Sequence, residues 1–243
     1  MRILYDNIMK TASISVTNED ASYPVERLYH EWRNLYFKSS STSSVITLDW
    51  DANETVNAIA YAHSTDNSDV PTTMTVALYD GSAVLLDTIT VIQTETLDIE
   101  YFTKYNTVRQ AVITLTGLSG FTLGNLFIGE YLEINRKAPS QDLAKSSTGA
   151  SSVTSGGQVS GRLGTALRAF SVSLLSLSSD EVESLGLMFV TNQNAIPLYL
   201  DIWQDSHDTL LPIWCIIDGG LDVRKTSDYG ALFDVSFSIQ EVR

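Results

Sequence analysis

The chain has 243 residues, of which 15 are basic and 29 are acidic, giving a formal net charge of −14. A negative charge of this size repels a phosphate backbone and argues against specific nucleic-acid binding. A negatively charged inner surface would, however, suit a channel through which DNA passes, because it would keep the DNA from binding to the protein. No apolar run approaches the roughly 18 residues that span a bilayer, and residues 1–7 lack the apolar stretch of a signal peptide, so we expect a soluble protein without membrane insertion.

Short alternating segments dominate the first part of the chain. In residues 45–50 (VITLDW), Ile46, Leu48 and Trp50 face one way and their neighbours face the other, which predicts a half-buried strand. Similar segments recur at 56–63, 73–79, 84–92, 111–116 and 127–134. Turn-forming clusters separate them, and many short strands with regular turns indicate a β-sandwich or barrel.

The composition changes at residues 138–161, where Ser and Gly dominate and no apolar periodicity survives. Such a stretch predicts a linker or a long extended arm. Because 243 residues exceed an average domain of roughly 100–200 residues, two domains are expected. We therefore divide the chain into a β domain at 1–137, a linker or arm at 138–161 and a second domain at 162–243.

The second domain alternates strand and helix signals. Residues 170–174 predict a strand, and Ser178 with Glu181 forms a capping box that begins a helix ending near residue 191. The apolar residues on one face of this helix are Val182, Leu185 and Phe189. Further strands are predicted at 196–203, 211–217 and 232–242, with a turn at Gly219-Gly220. The fold class is therefore mainly β, with one helix in a small second barrel or sandwich.

Residues suited to catalysis are few. His30, His63 and His207 are far apart along the chain and show no metal-ligand spacing, and His63 continues an apolar strand face, which favours a structural role. Cys215 lies in the apolar run 211–217 and is expected to be a small buried side chain. We predict that the protein is not an enzyme and has no catalytic residue and no cofactor.

A metal site is also not predicted. Asp201, Asp205 and Asp208 could offer oxygens to a calcium ion, but their spacing does not match an EF-hand and a solvated loop is preferred. Loop-bound calcium in β-sandwiches follows no simple spacing, so this alternative stays open. Asp66 and Asp69 are interpreted as turn residues.

One segment is rich in aromatic residues and arginine, namely residues 23–37 (YPVERLYHEWRNLYF). These residue types are favoured in ligand clefts and at protein interfaces, and the ligand-binding candidates are Trp32, Tyr29 and Arg33. Alternatively, Leu28, Trp32 and Leu35 simply cover the sandwich, because aromatic residues belong first of all to cores.

The first domain resembles discoidin-type (coagulation factor 5/8 C) jelly rolls. The resemblance is carried by residues 23–28 (YPVERL), 45–50 (VITLDW) and 56–60 (VNAIA), and it covers about residues 1–137. With the closing segment 123–130 (LGNLFIGE), it is similar to the version found in tail proteins of long-tailed phages. Modules of this type often bind sugars or lipids through loops at one end.

The second domain, from about residue 161, is similar to the tail-tube-like fold of phage distal tail and baseplate proteins. The signs are residues 170–174, the helix from Ser178, residues 197–200 and residues 233–241. Distal tail proteins usually place the ring-forming domain first, whereas here the tube-like part comes last, so the position in the tail is not fixed by the resemblance.

The resemblance implies a structural component of a phage tail tip, located in the virion and assembled in the host cytoplasm. Its partners would be copies of itself in a hexameric or trimeric ring, the tail tube and tail-tip hub proteins. The alternative is a carbohydrate-binding adhesin that contacts a host-surface glycan. A hydrolase ranks last, because the acidic residues are scattered over turns instead of being paired across a cleft.

Overall fold

The computed structural model describes residues 1–30, 35–64, 69–93, 95–134, 140–147, 150–153, 159–162, 166–192, 196–201, 212–227 and 232–242, with the backbone alone at 140–147, 150–153, 159–162, 166–168 and 227. The described part is mainly β with antiparallel pairing and one α-helix, which confirms the predicted fold class. Its strands are β1 (Arg2–Leu4), β2 (Ser13–Val16), β3 (Phe37–Lys38), β4 (Ser43–Ala62), β5 (Pro71–Asp80), β6 (Leu85–Ile92), β7 (Leu97–Gly117), β8 (Thr122–Leu123), β9 (Asn125–Gly129), β10 (Leu132–Glu133), β11 (Ser140–Ser147), β12 (Ala150–Val153), β13 (Val159–Arg162), β14 (Ala166–Leu177), β15 (Leu198–Asp201), β16 (Ile213–Ser227) and β17 (Leu232–Glu241). The helix α1 spans Ser179–Asn192.

The chain forms two compact units. The first, called the sandwich unit here, comprises Arg2–Glu133 and Tyr199–Ile213. The second, called the helical unit, comprises Ile134–Leu198 and Trp214–Val242. The second predicted domain, 162–243, is thus divided between the two units. Its residues 199–213 belong to the sandwich unit, and residues 214–242 belong to the helical unit.

Two long strands organise the sandwich unit. β4 and β7 are antiparallel partners along most of their length, but their register shifts between Asp49 and Ala58. Residues 43–49 of β4 lie in the sheet β2-β4-β7-β5-β6, whereas residues 58–62 pair with β9. Strands change sheets in sandwiches at such bulges. The separate strands predicted at 45–50 and 56–63 are therefore one strand that serves both layers.

The inward faces of the two layers share one apolar core. Ile46 and Leu48 from the first half of β4 and Ile59 from the second half belong to the same buried cluster. Trp50 lies at the bend, and its indole Nε1 donates to the Ile8 carbonyl oxygen at 2.8 Å. The alternation seen in the sequence is thus explained by burial of alternate side chains between the layers.

A group of three neighbouring antiparallel strands accompanies the sandwich core. Its order is β10-β1-β15, and in it Arg2 lies opposite both Glu133 and Asp201. The guanidinium of Arg2 contacts Glu133 at 3.2 Å and lies over the rings of Tyr101 and Tyr131, 4.4 and 4.8 Å from their centroids. This half-buried charge is therefore paired by one carboxylate and two aromatic faces.

The helical unit is built on four neighbouring strands in the order β16-β17-β14-β11. In α1 the buried residues are Leu185, Met188 and Asn192, while Val182 and Phe189 of the predicted face are partly exposed. Phe189 still packs edge-to-face on Phe237 of β17, with ring centroids 5.5 Å apart. Among the described residues, no helix is long and apolar enough to cross a bilayer.

The predicted capping box begins α1. The Glu181 carboxylate accepts from the Ser178 backbone N–H at 2.8 Å, and the Ser178 hydroxyl accepts from the Glu181 N–H at 3.3 Å. These two reciprocal bonds satisfy amide groups that a helix start would otherwise leave without partners. The helix start is thus the local feature that the sequence predicts best.

The Ser/Gly-rich stretch contains strands, which the sequence did not predict. β11 pairs with β14 from Ser140↔Ser173 to Ser147↔Ala166, and β12 pairs with β13 from Ala150↔Arg162 to Val153↔Val159. β11 is the edge strand of its sheet, whereas β12 and β13 form a separate sheet of two strands, and these two strand pairs are called the ribbon below. Backbone pairing requires no apolar alternation, so composition gave no signal for it.

The Gly219-Gly220 segment is not a hairpin turn. It lies inside β16, where the register against β17 jumps from Asp218↔Ser238 to Asp222↔Ser236. Gly219 has a φ of +91°, a conformation that suits glycine in a bulge. The predicted strand at 211–217 therefore continues through the bulge to Ser227.

Two glycines provide a paired test of this packing. At Gly129 an added Cβ would lie 2.7 Å from the Asp6 carbonyl oxygen, whereas at Gly186 in α1 it would meet nothing within 4 Å. We expect Gly129→Ala to destabilise the sandwich unit by about 1–3 kcal/mol, because backbone must move. Gly186→Ala should stabilise the helical unit by about 0.5–1 kcal/mol. Chemical denaturation measures both, and a neutral Gly129→Ala would contradict the close approach.

Candidate functional site

Several loops of the sandwich unit meet at one end. The Asn125 side-chain amide donates to the His30 carbonyl oxygen at 2.9 Å, and the Gly124 N–H donates to Ala62 at 3.0 Å. The Thr122 N–H donates to the Asp69 carbonyl oxygen at 2.6 Å. The segments before β3, between β4 and β5, and between β7 and β9 therefore converge, and this surface is called the loop end.

An aromatic cluster with two cations lies at the loop end. The rings of Tyr23 and Tyr36 stack with centroids 4.9 Å apart and an interplanar angle of 11°. The Arg27 guanidinium and the Lys38 ammonium lie over the Tyr23 ring, 5.0 and 5.6 Å from its centroid. All four side chains are partly exposed. We call this group the tyrosine cluster.

Backbone geometry holds the cluster in place. Residues Val25–Tyr29 form a 3-10 helix that projects Arg27 toward Tyr23, and its Val25 and Leu28 side chains are buried. The Lys38 N–H donates to the Tyr23 carbonyl oxygen at 3.2 Å, which brings β3 beside the segment that carries Tyr23. The apolar side of the helix thus anchors the segment while the polar side faces solvent.

Of the three predicted ligand candidates, one can be placed. Tyr29 is partly buried against the sandwich core, stacks beside His30 at 6.3 Å, and its pKa is raised by burial and by Glu26. Trp32 and Arg33 lie outside the described residues. Tyr23, Tyr36 and Arg27 belong to the segment that the sequence singled out, although they were not candidates, and Lys38 follows it directly.

His63 occupies the structural position predicted for it. It is buried, and its ring lies 5.3 Å from that of Tyr61. A Cβ at Gly124 would come within 2.9 Å of the His63 backbone, so these two segments touch directly. Burial raises the pKa of Tyr61 to about 12, with the Asp98 carboxylate adding to the effect. Both side chains are therefore part of the core beneath the loop end.

The other acidic and sulfur candidates have structural surroundings. The Asp201 carboxylate accepts a bond from the Tyr101 hydroxyl at 3.1 Å, while Asp205, Asp208 and His207 lie outside the described residues, as does Asp66. Within the part of the chain that the structure describes, no three His, Cys, Asp or Glu side chains are grouped to hold a metal ion. Cys215 is fully buried, as predicted.

Asp98 is an acidic group with an unusual environment. It lies opposite Tyr61 on β7, and burial raises its pKa, opposed by the Ile99 N–H and reinforced by the Glu95 and Asp201 carboxylates. The neighbouring Glu100 also has a raised pKa, through burial and through Asp98. Folding therefore places negative charges at this edge of the sandwich where they repel one another.

We expect Asp98→Asn to stabilise the protein at neutral pH. Because burial raises the pKa of Asp98 above the ordinary range of an aspartate, its favourable protonated state is lost as the pH rises through the folded pKa. Removing the charge should add up to about 1 kcal/mol, since solvent screens this half-buried group. Denaturation of both proteins at about pH 4 and about pH 7 measures the effect. An equal difference at both pH values would argue against a titrating Asp98.

Comparisons with known proteins add solved structures alone, because no protein-family model and no curated protein matches the chain. Chitosan-binding module 1 of a chitosanase/glucanase from Paenibacillus sp. IK-5 is 15% identical, with 51% of this chain and 99% of that chain covered and a TM-score of 0.42. A fucose-binding module of Streptococcus pneumoniae is 15% identical, with 51% and 95% covered and a TM-score of 0.44. The lectin domain of lectinolysin is 12% identical, with 51% and 95% covered and a TM-score of 0.44. These scores are below 0.5, so the interpretation of the loop end rests on this chain's own residues, and the resemblance to phage tail-tip proteins stays a prediction.

Proposed function

We propose that the sandwich unit is a non-catalytic carbohydrate-binding module whose ligand site is the loop end. The observation that carries the proposal is the tyrosine cluster, a stacked Tyr23–Tyr36 pair with two cations held over one ring. Partly exposed aromatic rings beside fixed hydrogen-bond donors form the kind of surface that binds a polar ligand with apolar faces.

Each part of the cluster has a distinct role in this proposal. Tyr36 offers ring surface against which the C–H face of a sugar can pack. Arg27 and Lys38 are held by the Tyr23 ring and keep N–H donors for sugar hydroxyl groups. A preformed arrangement lowers the entropy lost when the ligand binds.

Nearby carboxylates are engaged in holding the loop. Glu19 accepts from the Val25 backbone N–H, and Asp20 accepts from the Ser22 N–H at 3.0 Å. Both bonds fix the segment that carries Tyr23 and Arg27. These carboxylates are therefore assigned to loop structure and not to acid–base chemistry.

The negative charge of the sandwich unit makes some classes of glycan better ligands than others. Residues 1–133 contain 7 Lys and Arg and 17 Asp and Glu, and residues 199–213 of the same unit add 3 Asp, so 7 − 20 gives a formal charge of −13. An acidic surface repels anionic polysaccharides over about one Debye length, roughly 8 Å at physiological salt. The favoured ligands are neutral or basic sugars.

Tyr36→Ala tests the site directly. We expect at least a 10-fold loss of affinity for the bound glycan, because the exposed ring is removed while the fold is retained. Ligands would be found on a glycan array and measured by isothermal titration calorimetry. Tyr79→Ala, a partly exposed tyrosine on β5, is the matched control and should bind normally. Binding that survives Tyr36→Ala and Arg27→Ala together would exclude the cluster.

A second candidate function is the structural role in a phage tail tip, with the protein assembling into a hexameric or trimeric ring between the tail tube and tip proteins. The ribbon favours it, because the edge strand β11 and the two-stranded sheet β12-β13 offer backbone groups with which an adjacent subunit can pair. In this role the protein resides in the virion, and glycan binding would serve attachment to the host surface.

Limited proteolysis tests the ribbon's role. We expect cleavage within the Ser/Gly-rich stretch 138–161 in the isolated protein and protection in assembled particles, because strand pairing with a neighbour shields the backbone. Gel electrophoresis of both samples over time gives the cleavage rates. Mass photometry of the intact protein gives the ring size. Equal cleavage in both samples would count against an assembly arm.

A further inference from the structure

The outward face of the sheet β2-β4-β7-β5-β6 has an unusual composition. One row across four strands reads Thr90, Thr75, Thr114 and Val45, with each residue directly opposite the next. An adjacent row includes Thr73 and Thr116, whose hydroxyl groups are hydrogen-bonded to each other. Threonine recurs in this way along the described strands of the sheet, and we call this surface the threonine face.

The threonine face is nearly uncharged. Across its described strand positions, Asp49 carries the one charge, and it accepts a bond from the Gln110 amide at 2.7 Å. Its residues are partly or fully exposed, including Ile92 at 67%. Solvent-facing sheets usually carry charged side chains, whereas depletion of charge marks the centre of protein interfaces.

Its side chains are also suited to burial against protein. Threonine and valine are β-branched and have few rotamers, so little side-chain entropy is lost when they are covered. Each threonine offers a methyl group for packing and a hydroxyl group that can both donate and accept. Such a surface is complementary to itself.

Charge indicates which partner fits. Residues 1–133 carry a formal charge of 7 − 17, or −10, so two copies repel each other through most of their surfaces. Contact through the threonine face instead brings few negative charges close to each other, because Asp49 is the one charged residue among its described strand positions. We propose that this face packs against the same face of a second copy of the chain, related by a two-fold axis.

The area of the threonine face indicates how stable the proposed dimer should be. The face has five strands, which lie about 4.8 Å apart. With about seven residues per strand and a rise of about 3.3 Å per residue, its area is roughly 500 Å². A standard interface buries about 800 Å² per partner, so the dimer should be weak and concentration-dependent. Packing of two sheets about 10 Å apart is the usual geometry for such a contact.

The test places charge at the centre of the face. Sedimentation velocity of the full chain, up to about 1 mM, should show reversible dimers for the wild type. Thr75→Lys with Thr114→Lys should weaken dimerisation at least 10-fold, because like charges meet across the two-fold axis. Thr75→Val, which adds no charge, should retain dimerisation. The matched control is Thr107→Lys, because Thr107 is an exposed residue in the bent part of β7.

Circular dichroism and thermal unfolding would verify that each variant is folded. A wild type that stays monomeric over the whole range overturns the proposal, as does equal weakening by Thr107→Lys and by the double variant. Loss of glycan binding in the double variant, with no dimer in the wild type, would instead make the face a ligand platform. Because this surface is separate from the tyrosine cluster, Tyr36→Ala should leave dimerisation unchanged.

Discussion

The pairing of β4 with β7 is the interaction on which the sandwich unit depends. Both strands pass through bulges and contribute to two layers, so a single pair of strands connects the five-stranded sheet to β9. Neither layer can form its buried face without them, because Ile46 and Ile59 enter the same core from the two halves of β4. These two strands also fix the position of the loop end. His63 directly follows the last residue of β4, and the turn that leads to Gly124 directly follows β7.

The loop end and the threonine face divide the unit's surface by chemistry. The first has exposed rings and cations on irregular backbone, which suits a small polar ligand. The second is regular and nearly uncharged, which suits another protein surface. A module that is simultaneously weakly dimeric and weakly ligand-binding would gain affinity for a surface that displays many copies of its ligand. The two proposals are therefore compatible, although each rests on its own residues.

Local signals predicted local structure well. The Ser178–Glu181 capping box and the alternation at 170–174 and 232–242 depend on neighbouring residues, and the structure contains the helix and both strands. The continuity of β4 could not be predicted, because Asp51, Asn53 and Glu54 resemble a turn and the bulges depend on a partner about 50 residues away. The ribbon was missed for a related reason, since its pairing carries no side-chain periodicity. At the loop end, three residues of the tyrosine cluster lie in the segment that the sequence singled out, but the stacking of Tyr23 on Tyr36 requires the strand β3 to return beside it.

The strand order β10-β1-β15 has a consequence for biosynthesis. β1 is translated before the other strands of the sandwich unit, yet its neighbour β15 includes Tyr199–Asp201, which lie almost 200 residues later. Until then one edge of β1 has no strand beside it, and the Tyr101 hydroxyl has no Asp201 carboxylate to bind. The sandwich unit therefore reaches its final form only after most of the helical unit has been translated, and a chain shortened to residues 1–133 would expose the edge of β1 that β15 otherwise covers.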